Sequence, residues 1–303
     1  MSSPQDLCSV RDRLGKVGVW LGALARAPIP HERIAARRIE ELGYGSLWCG
    51  EIIGGKEAFA HQSVLLAATN RIMTGTGIAN VWSRHPAAMQ GGAATLWAAY
   101  PGRFILGIGI SHAPIVERSG QIFERPLAHM TAYLDGMDAA VKYAPASDIP
   151  VPRVLAALRA QMLSLARERT DGAHSYFVPP SHTTIARNLL GKDKLLITEQ
   201  AVLLQRDIQE ARRVARGHME TYLKLSNYAN NLKQFGFNDE DFASGGSNRL
   251  VDAIVAWGDE ATIAERVQEH LDAGADHVLL QPLGSLEEAI TQLARLTEAV
   301  LGR

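Results

Sequence analysis

Short apolar runs rich in Val, Ile, Leu and Gly alternate with stretches of helical period from one end of the chain to the other. A strand buried on both faces reads as a near-continuous apolar run, so this is the pattern of a parallel sheet covered by helices. Eight runs stand out: residues 16–22 (KVGVWLG), 45–51 (GSLWCGE), 71–80 (RIMTGTGIAN), 103–111 (RFILGIGIS), 153–158 (RVLAAL), 172–178 (GAHSYFV), 194–203 (KLLITEQAVL) and 276–282 (DHVLLQP). Eight strands separated by helices predict a closed (β/α)8 barrel of the TIM type. The helices carry ordinary boundary signals. In PHERIAARRIEELG, Glu32 sits in the first turn, Ile34, Ile39 and Leu42 share a side, and Gly43 is the stop. In HPAAMQGGAATLWAAYPG, Pro86 opens the helix and Pro101-Gly102 breaks it.

Two segments stand apart from the repeat. Residues 225–248 (LSNYANNLKQFGFNDEDFASGGSN) are too long and aromatic for a simple connection and read as an inserted, lid-like excursion near the C-terminal mouth, or equally as a structural or dimer element. Residues 1–15 (MSSPQDLCSVRDRLG) read as a short leader without the apolar core of a signal peptide. No composition shift marks a linker, so residues 1–303 are expected to form a single barrel domain.

Composition narrows the function classes. The chain has 303 residues, 47% hydrophobic and 21% charged, enough to bury a large core. A formal net charge of -1 without a Lys/Arg block argues against a nucleic-acid binder. No apolar run reaches spanning length, and a cytoplasmic protein is expected, off the membrane. Cys8 and Cys49 are too few for a disulfide framework and match no zinc spacing.

Barrel enzymes place their chemistry at the C-terminal strand ends, where the loops converge. Those ends carry Glu51, Asn80, Ser111 with His112, Leu158 with Arg159, Glu199 and Gln281, with His174 inside its strand. The run RFILGIGISH has glycines at Gly107 and Gly109, and a glycine within a strand marks close approach of a ligand or another backbone. It lacks the third glycine and the immediate helix of a dinucleotide fingerprint. Gly77, Gly107 and Gly109 are expected to open space beside Asn80 and His112. At AALRAQMLSLA the chain passes from strand to helix near Leu158, so unpaired N–H groups of Arg159, Ala160 and Gln161 make a candidate phosphate site. No His-Glu-x-x-His, paired aspartates or tight His/Cys cluster is present, so no metal is expected. Gly-x-Ser-x-Gly is absent, and neither cysteine has a legible activating partner.

The segments GVWLG, ELGYGSLWCGE, TGTGIANVWSRHPAAMQGGAATLWAAYPGRFILGIGISHAP and DGAHSYFVPPSH together resemble the luciferase-like monooxygenase superfamily, most closely its actinobacterial branch of coenzyme F420-dependent oxidoreductases. The resemblance runs from about Val17 to Leu301, and Thr74 to Pro114 is its specific part. It implies a (β/α)8 barrel with insertions, a homodimer, F420 or FMN at the C-terminal mouth, and hydride transfer to or from a small organic substrate. It places third-strand contacts on Gly77, Ile78, Ala79 and Asn80, with a non-prolyl cis peptide at Gly77-Ile78. The fourth strand would contribute Gly109, Ser111 and His112, and the coenzyme phosphate would lie at Ala157, Leu158, Arg159, Ala160 and Gln161. His112 is the expected catalytic residue, because an ordinary imidazole exchanges a proton near neutral pH. Glu51 and His174 are further catalytic candidates. The Asp-His pair that many F420-dependent members carry at the second strand end reads Glu51-Ile52 here, and the Gly-Gly of some relatives' phosphate site reads Leu158-Arg159. Alternatives are an FMN-dependent monooxygenase, a metal-dependent isomerase or lyase using Glu51, His174 and Glu199, and a barrel that binds the coenzyme without turnover.

Overall fold

Each of the eight apolar runs forms a strand, and the strands close on themselves in the computed structural model, which describes residues 2–145 and 149–302. The strands are β1 (Val17–Trp20), β2 (Ser46–Cys49), β3 (Met73–Thr76), β4 (Ala79–Asn80), β5 (Phe104–Gly109), β6 (Arg153–Ala156), β7 (Gly172–Ser175), β8 (Leu195–Leu204), β9 (Val255–Gly258) and β10 (His277–Pro282). The ring runs β10-β1-β2-β3-β5-β6-β7-β8 and is closed by parallel pairing of β8 with β10, from Ile197↔His277 to Val202↔Pro282. β4 resumes the third stave beyond a cis Gly77-Ile78 peptide and pairs with β5 at Ala79↔Ile108. β9 is not a stave; it pairs with the outer end of β8.

The helices are α1 (Pro4–Leu14), α2 (Ile29–Leu42), α3 (Ala58–Ala68), α4 (Pro86–Ala99), α5 (Ala113–Arg118), α6 (Pro126–Ala140), α7 (Ala160–Arg169), α8 (Pro180–Leu190), α9 (Ile208–Leu223), α10 (Ser226–Lys233), α11 (Asp239–Phe242), α12 (Asn248–Ile254), α13 (Glu260–Asp272) and α14 (Leu286–Leu301). Gly43 ends α2 in the left-handed region, and Pro86 opens α4. Among the described residues no helix is long and apolar enough to cross a membrane.

Residues 2–15 pack against the barrel. Ser3 and Asp6 form a capping box at the start of α1, and Leu7, Val10 and Leu14 pack with Met73, Ile105, Val154 and Leu195 inside the barrel. The helix closes the N-terminal end. The inserted segment is also wider and more regular than residues 225–248: the excursion begins with α9 and returns through α12 and β9. α9 buries Ala211, Ala215, Met219 and Leu223, a four-residue spacing that makes one apolar stripe. The stripe joins Tyr228, Leu232, Leu250, Val251 and Ile254 in a core above the mouth that it shares with Phe177, Ala201, Leu203 and Leu283 of the barrel.

Inside the barrel the glycines admit protein groups. Alternation turns Gly75 and Gly107 inward beside the fully buried Trp48, where a Cβ at Gly75 would lie 2.4 Å from the indole. A Cβ at Gly107 would lie 2.0 Å from the Thr76 carbonyl oxygen, and at Gly109 2.6 Å from Ile78 Cγ1. The space at Gly107 and Gly109 is therefore taken by neighbouring staves. Below them, Trp48 Nε1 donates to Ser46 Oγ at 2.9 Å, Ser46 pairs with His277 Nε2 at 2.7 Å, and His277 Nδ1 donates to the Gly15 carbonyl at 2.9 Å. The chain of bonds gives Trp48 Nε1, Ser46 Oγ and both ring nitrogens of His277 a partner.

Candidate functional site

One side of the C-terminal mouth is built by the ends of β4, β5 and β6. Gly77 and Ile78 are half-buried there, while Ala79 points into the outer core. Asn80 is buried; its Oδ1 accepts from the Trp82 N–H at 3.1 Å and its own N–H donates to Glu51 Oε2 at 2.8 Å. Glu51 also accepts from the Ala58 N–H at 3.2 Å and takes both Nη groups of Arg84. Its two oxygens are thus engaged in tying the second and third strand ends to α3.

Beyond Gly109 the chain turns sharply. Ser111 has a positive φ of 60°, and His112 follows at the start of α5. The His112 imidazole makes no hydrogen bond within the described residues, and its ring stands 5.0 Å from that of Tyr228. Burial pushes its pKa down to about 4, so the ring is neutral at physiological pH, with one nitrogen free to accept a proton and the other keeping its N–H. That departs from the near-neutral titration of an ordinary histidine.

Just past β6 the backbone of Ala157 and Leu158 is already committed. The Ala157 N–H donates to the His174 carbonyl at 3.1 Å, and His182 Nε2 donates to the Leu158 carbonyl at 2.7 Å. The next residues are free: no side chain caps α7, so the first-turn N–H groups of Ala160 and Gln161 have no acceptor in the helix. Arg159 is exposed beside them, with Nη2 3.2 Å from Asn227 Oδ1 of α10.

The other side comes from β7, β8, β10 and the inserted helices. Tyr176 follows β7; its hydroxyl donates to Gln281 Oε1 at 2.8 Å and lies 2.7 Å from the Tyr222 hydroxyl of α9. Trp20 packs 5.2 Å from Tyr176, and Tyr228 of α10 stands edge-on to Tyr222 at 5.5 Å. Under these rings Glu199 accepts the Phe177 N–H at 3.0 Å through Oε2, while its buried Oε1 has no partner. Burial pushes this carboxyl up to about 8. His174 lies deeper, its Nδ1 donating to the Ile197 carbonyl at 3.2 Å and its ring 5.5 Å from Trp48.

A model of the family described as luciferase-like monooxygenase matches residues 14–277, nearly the whole barrel. The chain belongs to the luciferase-like monooxygenase family. This luciferase-like chain is 31% identical over 121 residues to a protein of Mycobacterium tuberculosis named as a coenzyme F420-dependent oxidoreductase, a match covering 40% of the chain and 35% of that relative. It is 28% identical over 155 residues to 5,10-methylenetetrahydromethanopterin reductase of Methanolobus tindarius, covering 45% of the chain and 47% of the reductase. Each match thus spans less than half of that relative's length. Among solved structures, the coenzyme F420-dependent tetrahydromethanopterin reductase from Methanopyrus kandleri superposes with a TM-score of 0.73 at 16% identity, covering 95% of the chain and 99% of that structure. This luciferase-like protein is accordingly an enzyme, an oxidoreductase by family.

Within the luciferase-like barrel, Gly77, Ile78, Gly109, Ser111, His112, Arg159, Ala160 and Gln161 lie around one arc of the mouth. Glu51, His174 and Glu199 do not assemble as metal ligands, and among the described residues no group of three His, Cys, Asp or Glu side chains could hold a metal ion. Tyr176, Tyr222 and Tyr228 escape a reading of the sequence, since they come from a strand end and two inserted helices; the aromatic content of the insertion was the available signal.

Outside the barrel wall Cys49 does have a partner. Glu32, far from a simple helix-start charge, is fully buried, pairs with Lys56 and accepts from His61 Nε2 at 3.1 Å. His61 Nδ1 then faces Cys49 Sγ at 3.4 Å. Burial, with Glu32 nearby, pushes the thiol up to about 12, so it stays protonated and donates to the imidazole. The chain of contacts braces β2 against α2 and α3 and makes no nucleophile.

Proposed function

We propose that this luciferase-like enzyme is a coenzyme F420-dependent oxidoreductase that moves a hydride between the deazaflavin and a small organic substrate. The observation that carries the reading is the pairing, on one arc of the mouth, of an imidazole with no hydrogen-bond partner among the described residues and an uncapped helix start flanked by an arginine. The relatives named for F420 support it. The residues present fit such a coenzyme: Gly77, Ile78, Asn80, Gly109 and Ser111 would border its ring system. The N–H groups of Ala160 and Gln161 with the Arg159 guanidinium would hold an anionic tail. When bound, the deazaflavin supplies the hydride chemistry, which no side chain here can provide.

The chain's own residues do the rest. His112, neutral and unbonded, is placed to take a substrate proton on a ring nitrogen. Trp20, Tyr176, Tyr222 and Tyr228 exclude water from the opposite side. Glu51 and Arg84 hold the strand end from which Asn80 projects.

Titration of the purified protein with F420 and with FMN, followed by coenzyme fluorescence and melting temperature, tests the proposal. F420 should bind and raise the melting temperature while FMN does not, and reduced F420 should be consumed with a substrate from a panel of ketones and enones. Stabilisation by FMN without any F420 effect would replace this reading with an FMN-dependent monooxygenase.

A further inference from the structure

Among the described residues the buried carboxyls other than Glu199 are held by a cation or by two or more N–H groups, even though Glu32 keeps one bare oxygen; Glu199 has neither kind of support. Glu40 accepts the N–H groups of Asn70, Arg71 and Ile72, Asp171 those of Ser2 and Arg153, and Glu32 holds Lys56 and His61. Glu199, inside the barrel and 2% exposed, has one backbone N–H on Oε2 and nothing on Oε1. No lysine or arginine contributes to its surroundings. The bond from the Phe177 N–H holds the carboxyl at the Tyr176–Phe177 turn, where the Phe177 ring lies 5.1 Å from that of Tyr222 and 5.4 Å from that of Tyr228, and its charge acts to raise the pKa of the Tyr176, Tyr222 and Tyr228 hydroxyls. Two of those hydroxyls are spent on each other and on Gln281. The third, on Tyr228, makes no hydrogen bond within the described residues, although its ring is buried between Phe177 at 5.4 Å, Tyr222 at 5.5 Å and His112 at 5.0 Å.

A buried carboxyl oxygen without a partner costs stability unless one arrives, and a neighbouring phenol whose hydroxyl is unbonded among the described residues offers a second donor to the same ligand. We propose that Glu199 and Tyr228 together bind one neutral oxygen, a carbonyl or hydroxyl, of a planar unsaturated substrate held against the tyrosine cluster. The inference deepens the proposed function and rests on it for the side of the mouth left to the substrate. An anionic group would meet a carboxyl with no cation to offset it. An ammonium would require an ion pair with a carboxylate that has little else to solvate it. A carbonyl oxygen accepts from both the protonated acid and the phenol and leaves neither charged. The flat faces of Tyr176, Tyr222 and Tyr228 suit an aromatic ring or an enone.

Calorimetric titration of the full chain, with and without F420, is the test, using acetophenone with benzoate and benzylamine as its anionic and cationic counterparts. Acetophenone should bind at pH 7, with the charged probes at least about tenfold weaker, and Glu199→Leu and Tyr228→Phe should each weaken it by about tenfold, the scale of one buried hydrogen bond. Glu199→Gln, which keeps a neutral donor, should stay within about threefold of wild type. Raising the pH to 9.5 should weaken binding to wild type and leave the Glu199→Gln variant unchanged. The neighbouring groups stay silent in that window: burial pushes the Tyr176 and Tyr228 hydroxyls well above, and that of Tyr222 above, the usual tyrosine range, and holds His112, His174 and His218 at about 4. Tightest binding of benzylamine, or acetophenone binding indifferent to Glu199→Leu, Tyr228→Phe and pH, or none at all, overturns the proposal. Should Glu199→Leu fail to fold, Tyr228→Phe and the pH comparison carry the test. F420 affinity measured on the same samples keeps the two readings apart. Glu199-dependent acetophenone binding without F420 binding removes the coenzyme assignment alone, and F420 binding without it removes this inference alone.

Discussion

Alanine at Gly107 and at Gly109 perturbs the same strand in two different ways, and the difference can be worked from the contacts. At Gly107 the new Cβ would lie 2.0 Å from the Thr76 carbonyl oxygen. That oxygen cannot retreat, because Thr76 Oγ1 is bonded to both the Gly107 N–H at 2.9 Å and the Gly107 carbonyl at 2.7 Å. At Gly109 the Cβ meets Ile78 Cγ1 at 2.6 Å and Cδ1 at 2.7 Å, side-chain atoms of a half-buried residue at the mouth that can rotate away. Overpacking costs about 1–3 kcal/mol where side chains adjust and more where backbone must move, so Gly109→Ala should cost about 1–2 kcal/mol and Gly107→Ala at least about 3 kcal/mol. The assay is urea unfolding of both variants and of a cycle with Ile78→Ala. Removing the Ile78 atoms should make Gly109→Ala nearly neutral, a coupling of about 1–2 kcal/mol, and leave the cost of Gly107→Ala unchanged. Equal costs at the two glycines, or strict additivity with Ile78→Ala, would refute the claim that neighbouring staves require them.

Four further outcomes are expected. Arg84→Met strands the buried Glu51 carboxylate and should cost about 3–5 kcal/mol, of which adding Glu51→Gln restores a part, measured by urea unfolding. Arg159→Ala should weaken F420 binding and flatten its salt dependence, whereas equal losses for F420 and a phosphate-free analogue would make the arginine structural. The Glu199 carboxyl has its native pKa raised from 4.5 to about 8, so the native state keeps a proton that the unfolded chain has lost. Its contribution is therefore fully present below about pH 4.5 and lost as pH rises through 8; wild-type stability should fall over that window relative to Glu199→Gln in thermal melts. Exposed Cys8 should react with iodoacetamide in the native protein while buried Cys49 reacts only on unfolding, as read by mass spectrometry.

The eight staves were legible because a strand covered on both faces leaves an apolar run that no connection imitates, and RFILGIGIS and KLLITEQAVL are clear cases. β9 was not, being four residues long and outside the ring. The insertion read as loop because its helices are short and interrupted by glycines at Gly236, Gly245 and Gly246, although α9 carries a plain apolar stripe. That the residues at the ends of β4, β5 and β6 lie at the mouth was legible from their strand-end position. What Gly107 and Gly109 admit, and what Cys49 and Glu32 face, depend on partners 12 to 31 residues away in sequence, and no local pattern encodes such distances.

The division of the mouth into two arcs has an evolutionary consequence. The arc from β4 to the start of α7 is woven into the barrel wall, where Glu51, Asn80, Arg84 and the interior glycines each serve several neighbours. The facing arc borrows Tyr222 and Tyr228 from an excursion that leaves after β8 and rejoins at β9, and whose apolar core rests on Phe177, Ala201, Leu203 and Leu283. Relatives can vary residues 208–254 and reshape that arc while the wall-built arc stays unaltered, because the insertion packs mainly on the ends of β7, β8 and β10. Where the arcs touch, at Arg159 with Asn227 and at His112 with Tyr228, drift in the excursion is the most constrained.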